Sequence, residues 1–207
     1  MRGWLSPGDH APSLNDGRMA RTLVLIGHAG GTMWPPFEAW RRTRPDHGGK
    51  HPLDGFSKSV ILPVARGLGG TAYFPSDRPW QPFQQWAMAA EGLQASPLGI
   101  LIHPDFGLWH GYRGAIGFAE ALDLPKPHIR PSPCLACDAK PCLSSCPAGA
   151  VSGDGFSLAA CRSHLASAEG GRGCMQAGCL ARAACPVGED YRYPSAQLKF
   201  HMDALEI

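Results

Sequence analysis

The chain has 207 residues, 44% of them apolar, and 19 basic against 17 acidic side chains. That length allows one good hydrophobic core plus a small appendage. The near-balanced charge excludes the electrostatic footprint of a nucleic-acid-binding or membrane-surface protein and leaves small molecules or proteins as partners.

The first twenty residues carry Pro7, Gly8, Pro12, Asn15, Asp16 and Gly17 without periodicity, which predicts a flexible N-terminus (1–20). They contain no apolar signal region, and nothing downstream approaches the roughly 18 apolar residues of a membrane span, so a cytoplasmic protein is expected. "RTLVLIGH" (21–28) reads as a buried strand bounded by glycine. The glycine-rich turn after it lacks the spacing of a phosphate-binding loop and leads into a short helix from about Pro36. Residues 53–69 have helical spacing, with Asp54 as N-cap and Pro63 expected to kink or divide the helix. "TAYF" reads as a strand, and a helix is expected through about Leu93 with Ser76 or Asp77 as its cap. Residues 96–118, apolar on both sides of a Pro-Asp turn, suit a β-hairpin. Strands interleaved with helices over 21–123 point to an α/β domain, and the whole chain to an α+β fold.

At Leu124 the composition changes. "LPKPHIRPSP" (124–133) has four prolines in ten residues, a stiff linker to a cysteine-rich module spanning 134–207. All eight cysteines lie between 134 and 185, a distribution that suits metal ligands better than disulfides in a reducing compartment. Cys134, Cys137, Cys142, Cys146 and Pro147 spell CxxCxxxxCxxxCP, two residues longer in one gap than the bacterial ferredoxin run. In such runs three closely spaced thiolates wrap one cubane, and the cysteine before proline ligates its neighbour. Applied here, Cys134, Cys137, Cys142 and Cys185 would hold one 4Fe-4S cluster, and Cys146, Cys161, Cys174 and Cys179 a second. Two structural zinc sites of four thiolates each are the bland alternative. The second set is the weaker assignment, because its gaps are stretched and Cys161 could be a free thiol.

"CPAGAVSGDGFSLAACRSHLAS", followed by further cysteines and a closing "CP", resembles the dicluster module of the epoxyqueuosine reductase family. The spacing with Pro141 before Cys142 is also similar to iron-sulfur subunits of molybdopterin oxidoreductases. These resemblances cover about 55 residues and imply a ferredoxin-like module with two low-potential 4Fe-4S clusters. "ILIHPDFGLWHGYRG" resembles the hairpin of cblC-type cobalamin-processing proteins through Ile102, His103, Pro104, Phe106, Gly107, Trp109, Arg113 and Gly114.

That resemblance implies a nitroreductase-like mixed sheet that binds a corrinoid (cobalamin), or less readily FMN, at His103, Pro104, Phe106, Trp109 and Arg113. It also implies an oxidoreductase in which the clusters feed electrons to the corrinoid. The alternative is a ferredoxin-type electron carrier that docks on a redox partner protein. The bland readings are a turn role for His103, core roles for Phe106 and Trp109, and a carboxylate partner for Arg113. His28 reads as a loop histidine and His164 as a hydrogen-bond donor to a cluster sulfur or an exposed side chain. The cysteine-free region is short for a complete pocket, so a homodimer would complete one. The chain is shorter than the reductases and its charge balance gives no tRNA-binding footprint, so queuosine chemistry is not expected. No nucleophile with a base and no paired carboxylates stand out.

Overall fold

The computed structural model describes residues 2–125, 129–205 and 207. The chain is α+β and divides into two compact units: one running to Leu93 and resuming over His110–Arg130, the other made of Gln94–Trp109 and Pro131–Ile207.

The first unit is built on a four-stranded sheet. Its strands are β1 (Arg2–Leu5), β2 (Thr22–Ala29), β3 (Thr71–Tyr73) and β6 (His110–Phe118), in the order β1-β2-β6-β3. Every described pairing is antiparallel, where a mixed sheet is expected from the resemblance. β6 inserts between β2 and β3 and runs against both, so those two strands never pair. The register sets Val24 opposite Ile116 and Leu25 opposite Ala115, and shifts between Ile26 and Gly27. A side chain on Gly27 would meet the Gly111 carbonyl at 2.5 Å, so the close approach at this shift requires glycine.

Alternation along the strands gives the sheet two apolar faces. Ile116, with Ile26 and Ala72, packs against Ile61 and Ala65 of α2 (Pro52–Gly67) and against Phe74. On the other face lies α3 (Phe83–Glu91), where a side chain on Gly3 would meet Ala90 and Glu91 at 3.0 Å. Trp86 of α3 is fully buried, edge-on to Tyr73, and donates its indole N–H to the His10 carbonyl at 3.1 Å. α1 (Trp34–Arg42) follows β2 and buries Phe37.

Several local expectations are corrected. The N-terminus is an edge strand with Leu5, Leu14 and Ala20 buried; four residues are too few to show a period. Pro63 does not divide α2; it lies on the exposed side, where water can satisfy the carbonyl that loses its donor. α2 begins after His51, so Asp54 lies in its first turn rather than at its cap. α3 begins after Pro82, leaving Ser76 and Asp77 in the preceding turn. Of the proline-rich linker, Lys126, Pro127 and His128 lie outside the described residues; Leu124, Pro125 and 129–132 form no helix or strand.

The expected 96–118 hairpin is split. Its first part belongs to the second unit, as the short pair β4 (Gln94–Ala95) and β5 (Leu101–Ile102) followed by a turn closed between His103 and Gly107. Its second part is β6 of the first unit. The expected division at 124–133 therefore separates the units only in part, because residues 94–109 pack with the cysteine region. There Leu98, Ile102 and Leu108 form one core with Cys142, Val151, Ala181 and Cys185. The rest of the second unit is short elements: α4 (Pro141–Ser144), the hairpin β7 (Val151–Ser152) and β8 (Gly155–Phe156), α5 (Leu158–Leu165), α6 (Ala168–Arg172), α7 (Cys174–Ala177), α8 (Leu180–Ala183) and α9 (Ser195–Asp203).

Candidate metal centres

The cysteines sit at the ends of these short elements, where a chain can turn and aim a side chain inward. Cys134 lies in a 3-10 turn capped by Ser132, whose hydroxyl accepts the Cys134 N–H at 3.4 Å. Cys142 opens α4 behind Pro141, and Lys140 before it takes the left-handed conformation at φ 38°. That turn absorbs the two residues by which this gap exceeds a ferredoxin run. Cys161 lies inside α5, whose cap Ser157 accepts the Ala160 N–H at 3.3 Å. Cys174 opens α7, and Cys179 and Cys185 flank α8. Pro147 and Pro186 follow Cys146 and Cys185 and keep those residues out of helix.

Two cavities result. Cys134, Cys137, Cys142 and Cys185 line one of about 30 Å³, walled by Leu98, Ile102, Leu108 and prolines, with Ser96 and Lys140 on its wall. Cys146, Cys161, Cys174 and Cys179 line one of about 250 Å³, walled mainly by apolar side chains, with His164 and Arg182 on its wall. Among the described residues no carboxylate belongs to either wall. The two cavities divide the cysteines as the crossover reading divides them.

The electrostatics follow the same division. Burial pushes the Cys142 thiol up, and Cys134 and Cys137 push it further. Burial likewise raises Cys185, helped by Cys134, Cys142 and Cys137. In the second cavity burial raises Cys161, with Cys179, Cys146 and Cys174 adding to it, and burial raises Cys179, with Cys174 and Cys146 adding. Backbone N–H groups pull the other way: Leu143 at Cys142, Arg182 and Ala181 at Cys179, and Val187 at Cys185. The Ala150 N–H reaches the Cys146 sulfur at 3.4 Å. Four thiolates crowded against apolar walls repel one another unless a cationic centre joins them, and inward N–H groups suit sulfurs that carry negative charge.

The donor chemistry fits an iron-sulfur cluster. Each set is four soft thiols arranged around a volume.

Of the residues expected to hold a corrinoid or flavin, His103, Pro104, Phe106 and Trp109 belong to the second unit and Arg113 to the first. His103 Nδ1 accepts the N–H groups of Asp105 and Phe106 at 3.0 and 3.2 Å, and its ring stacks on Phe106 at 4.2 Å. Pro104 lies in the same turn. Trp109 is 1% exposed, with the Arg182 guanidinium 4.3 Å from its ring. Arg113 belongs to the other unit, where it donates to Asp54 at 2.6 Å and Ser57 at 3.0 Å. Turn, core and ion-pair roles thus describe these contacts. His28 Nδ1 lies 3.2 Å from the Gly30 carbonyl.

Two features of the site had no sequence signal that singled them out. One is Arg182. The other is the use of Leu98, Ile102 and Leu108 as a thiol wall, since an apolar run does not state which core it enters.

No family model and no curated protein matches the chain. Among solved structures it is similar to epoxyqueuosine reductase from Streptococcus thermophilus, with a TM-score of 0.57 and 12% identity over 94% of this chain. It spans 64% of the length of that chain. At this identity the likeness is one of fold: the chain shares the α+β architecture of that reductase over nearly its whole length.

Proposed function

We propose that the chain is an iron-sulfur redox protein that holds two 4Fe-4S clusters, one on Cys134, Cys137, Cys142 and Cys185 and one on Cys146, Cys161, Cys174 and Cys179. One observation carries the reading: eight thiols fall into two fours, each lining one cavity with no carboxylate among the described residues of its wall. When bound, such a cluster supplies a one-electron couple of low potential. The chain's part is to hold and tune it. Cysteine thiolates ligate, the amides of Ala150, Ala181, Arg182 and Val187 point at sulfurs, and the apolar walls limit water. The fold shared with an enzyme named for a reductive activity agrees with redox work.

The acceptor that this reading supports is a redox partner protein. Delivery to a corrinoid rests on the resemblance of the 96–118 stretch, and His103, Phe106, Trp109 and Arg113 in it are engaged in turn, core and ion-pair contacts.

Anaerobic reconstitution with iron and sulfide tests the first claim. About eight iron and eight sulfide per chain are expected, with an EPR signal from reduced cubanes. About two zinc and no sulfide would replace the reading with structural zinc. Adding hydroxocobalamin to the dithionite-reduced protein tests the finer form. An unchanged cobalamin spectrum is expected, and formation of the reduced corrinoid would restore the corrinoid acceptor.

A further inference from the structure

Arg182 lies in α8, the helix that separates Cys179 of one thiol set from Cys185 of the other. Its side chain lines the cavity of Cys146, Cys161, Cys174 and Cys179. Its guanidinium donates through Nε (3.1 Å) and Nη2 (2.5 Å) to the carbonyl of Leu108, whose side chain lines the other cavity. The charge is held between two rings, 4.3 Å from the centroid of Trp109 and 4.7 Å from that of Tyr193. These rings are 1% and 7% exposed and meet edge-on at 5.4 Å.

Among the described residues no ion pair includes Arg182 and no carboxylate lines either cavity. A guanidinium keeps its proton at any working pH, and aromatic faces hold it without neutralising it. The chain therefore places a permanent positive charge, in no ion pair among the described residues, on the wall of the second thiol set, where the charge of Arg162 also reaches Cys161. The cation on the first wall, Lys140, is an exposed side chain whose field water screens.

We infer that Arg182 sets the reduction potential of the centre on Cys146, Cys161, Cys174 and Cys179, raising it relative to the centre on Cys134, Cys137, Cys142 and Cys185. Adding one electron to a cluster makes it one unit more negative. A fixed positive charge on an apolar wall stabilises that reduced state more than the oxidised one. With clusters in both sets, the reduced state would be favoured at the second.

This inference rests on the two-cluster reading, and the experiment separates the two. Wild type, Arg182→Gln, Arg182→Lys and the exposed control Arg192→Gln are reconstituted anaerobically. Each is titrated with dithionite as the one-electron donor while EPR follows both clusters, with Cys161→Ser identifying the second centre by the signal it loses. The second centre of Arg182→Gln is expected to move to a more negative midpoint potential, with a smaller move at the first. Arg182→Lys and Arg192→Gln are expected to stay at the wild-type value. Full loading of Arg182→Gln with an unmoved potential overturns the inference and leaves the cluster reading standing. Wild type that takes up no sulfide overturns both. If Arg182→Gln does not load, Arg182→Lys decides: a wild-type potential supports the charge role, and a negative shift overturns it.

Discussion

Cys142 and Cys161 differ in how they are held, and that difference makes their substitutions informative. Cys142 is 9% exposed in the core shared with Leu98, Ile102 and Leu108, whereas Cys161 is half-buried on one face of α5. Cys142→Ala is expected to remove about half of the bound iron and to cost about 1 kcal/mol beyond the lost ligand, from the space the sulfur leaves. Cys161→Ala is expected to lose a similar share of iron with little effect on the apo fold. Iron analysis beside thermal melts reads both; iron equal to wild type in the second variant would show that Cys161 is not a ligand. Two tyrosines of the first unit are expected to make its stability fall at alkaline pH. Burial raises Tyr73 from 10.0 to about 12. Tyr112 is raised further, first by burial and then by the charge of Glu91, to which its hydroxyl donates at 2.6 Å. Below pH 10 both phenols are neutral in either state, and the stability they contribute is intact. As pH rises through the unfolded value of about 10 the unfolded chain ionises first, so stability falls from there upward. Urea melts between pH 8 and 11 are expected to show this decline. Tyr112→Phe should lose about 1 kcal/mol at pH 8 and decline less steeply above pH 10. A decline as steep as wild type would remove Tyr112 from the account.

At the scale of elements, the turn 103–107 and the chain after Cys185 meet backbone to backbone. Gly107 has φ 56°, and a side chain there would lie 1.8 Å from the Val187 carbonyl oxygen; one on Gly188 would lie 2.4 Å from Phe106. The motif with an aromatic-Gly pair thus serves as a brace for the loop that carries Cys185. Gly107→Ala is expected to cost more than about 2 kcal/mol through positive φ and displaced backbone. It should also lower iron at the first thiol set, while the sheet of the first unit keeps its near-UV signal. Retention of full iron would show that the brace is dispensable. This element also shows what was legible. The grouping of the cysteines around two cavities matches what the CxxC spacings and the two CP pairs suggest, because those signals are local. The strands at 22–29 and 71–73 and the helices opening near Trp34 and Pro52 could be read from apolar period and proline placement. The brace could not, because Ile-His-Pro-Asp-Phe-Gly carries the same residues whether it lines a pocket or packs on Val187. β1 was missed because its pairing with β2 depends on residues about twenty positions away rather than on its own pattern.

For the whole molecule, the two units differ in what stabilises them. The first has a sheet whose faces bury Leu23, Leu25, Ile116 and Trp86, a core that involves no thiol. The second is assembled from helices mostly of four to nine residues, too short to persist alone, around eight cysteines that would repel if ionised. Its order is expected to depend on the metal, as in other small ligand-held domains. Stripping iron should abolish one melting transition and leave the other within a few degrees. The thread of chain that leaves the first unit after Leu93 and returns at His110 makes the second unit discontinuous in sequence. Leu98, Ile102 and Leu108 on that thread are 7%, 2% and 2% exposed, and burying three such side chains stabilises by about 5 kcal/mol or more, comparable with the whole stability of a small domain. A fragment covering 131–207 therefore contains all eight cysteines and still lacks wall residues of both cavities, Leu98, Ile102 and Leu108 of the first and Leu98 and Ile100 of the second. It is expected to take up less iron than the full chain, with the larger loss at the first set, and to show no cooperative melt. Joining residues 94–109 to its N-terminus through a flexible glycine-serine linker should restore loading of both sets. If the bare fragment binds a full complement of iron and melts cooperatively, the thread is not part of the domain, and the cysteine region is the self-sufficient module that its spacing alone suggests.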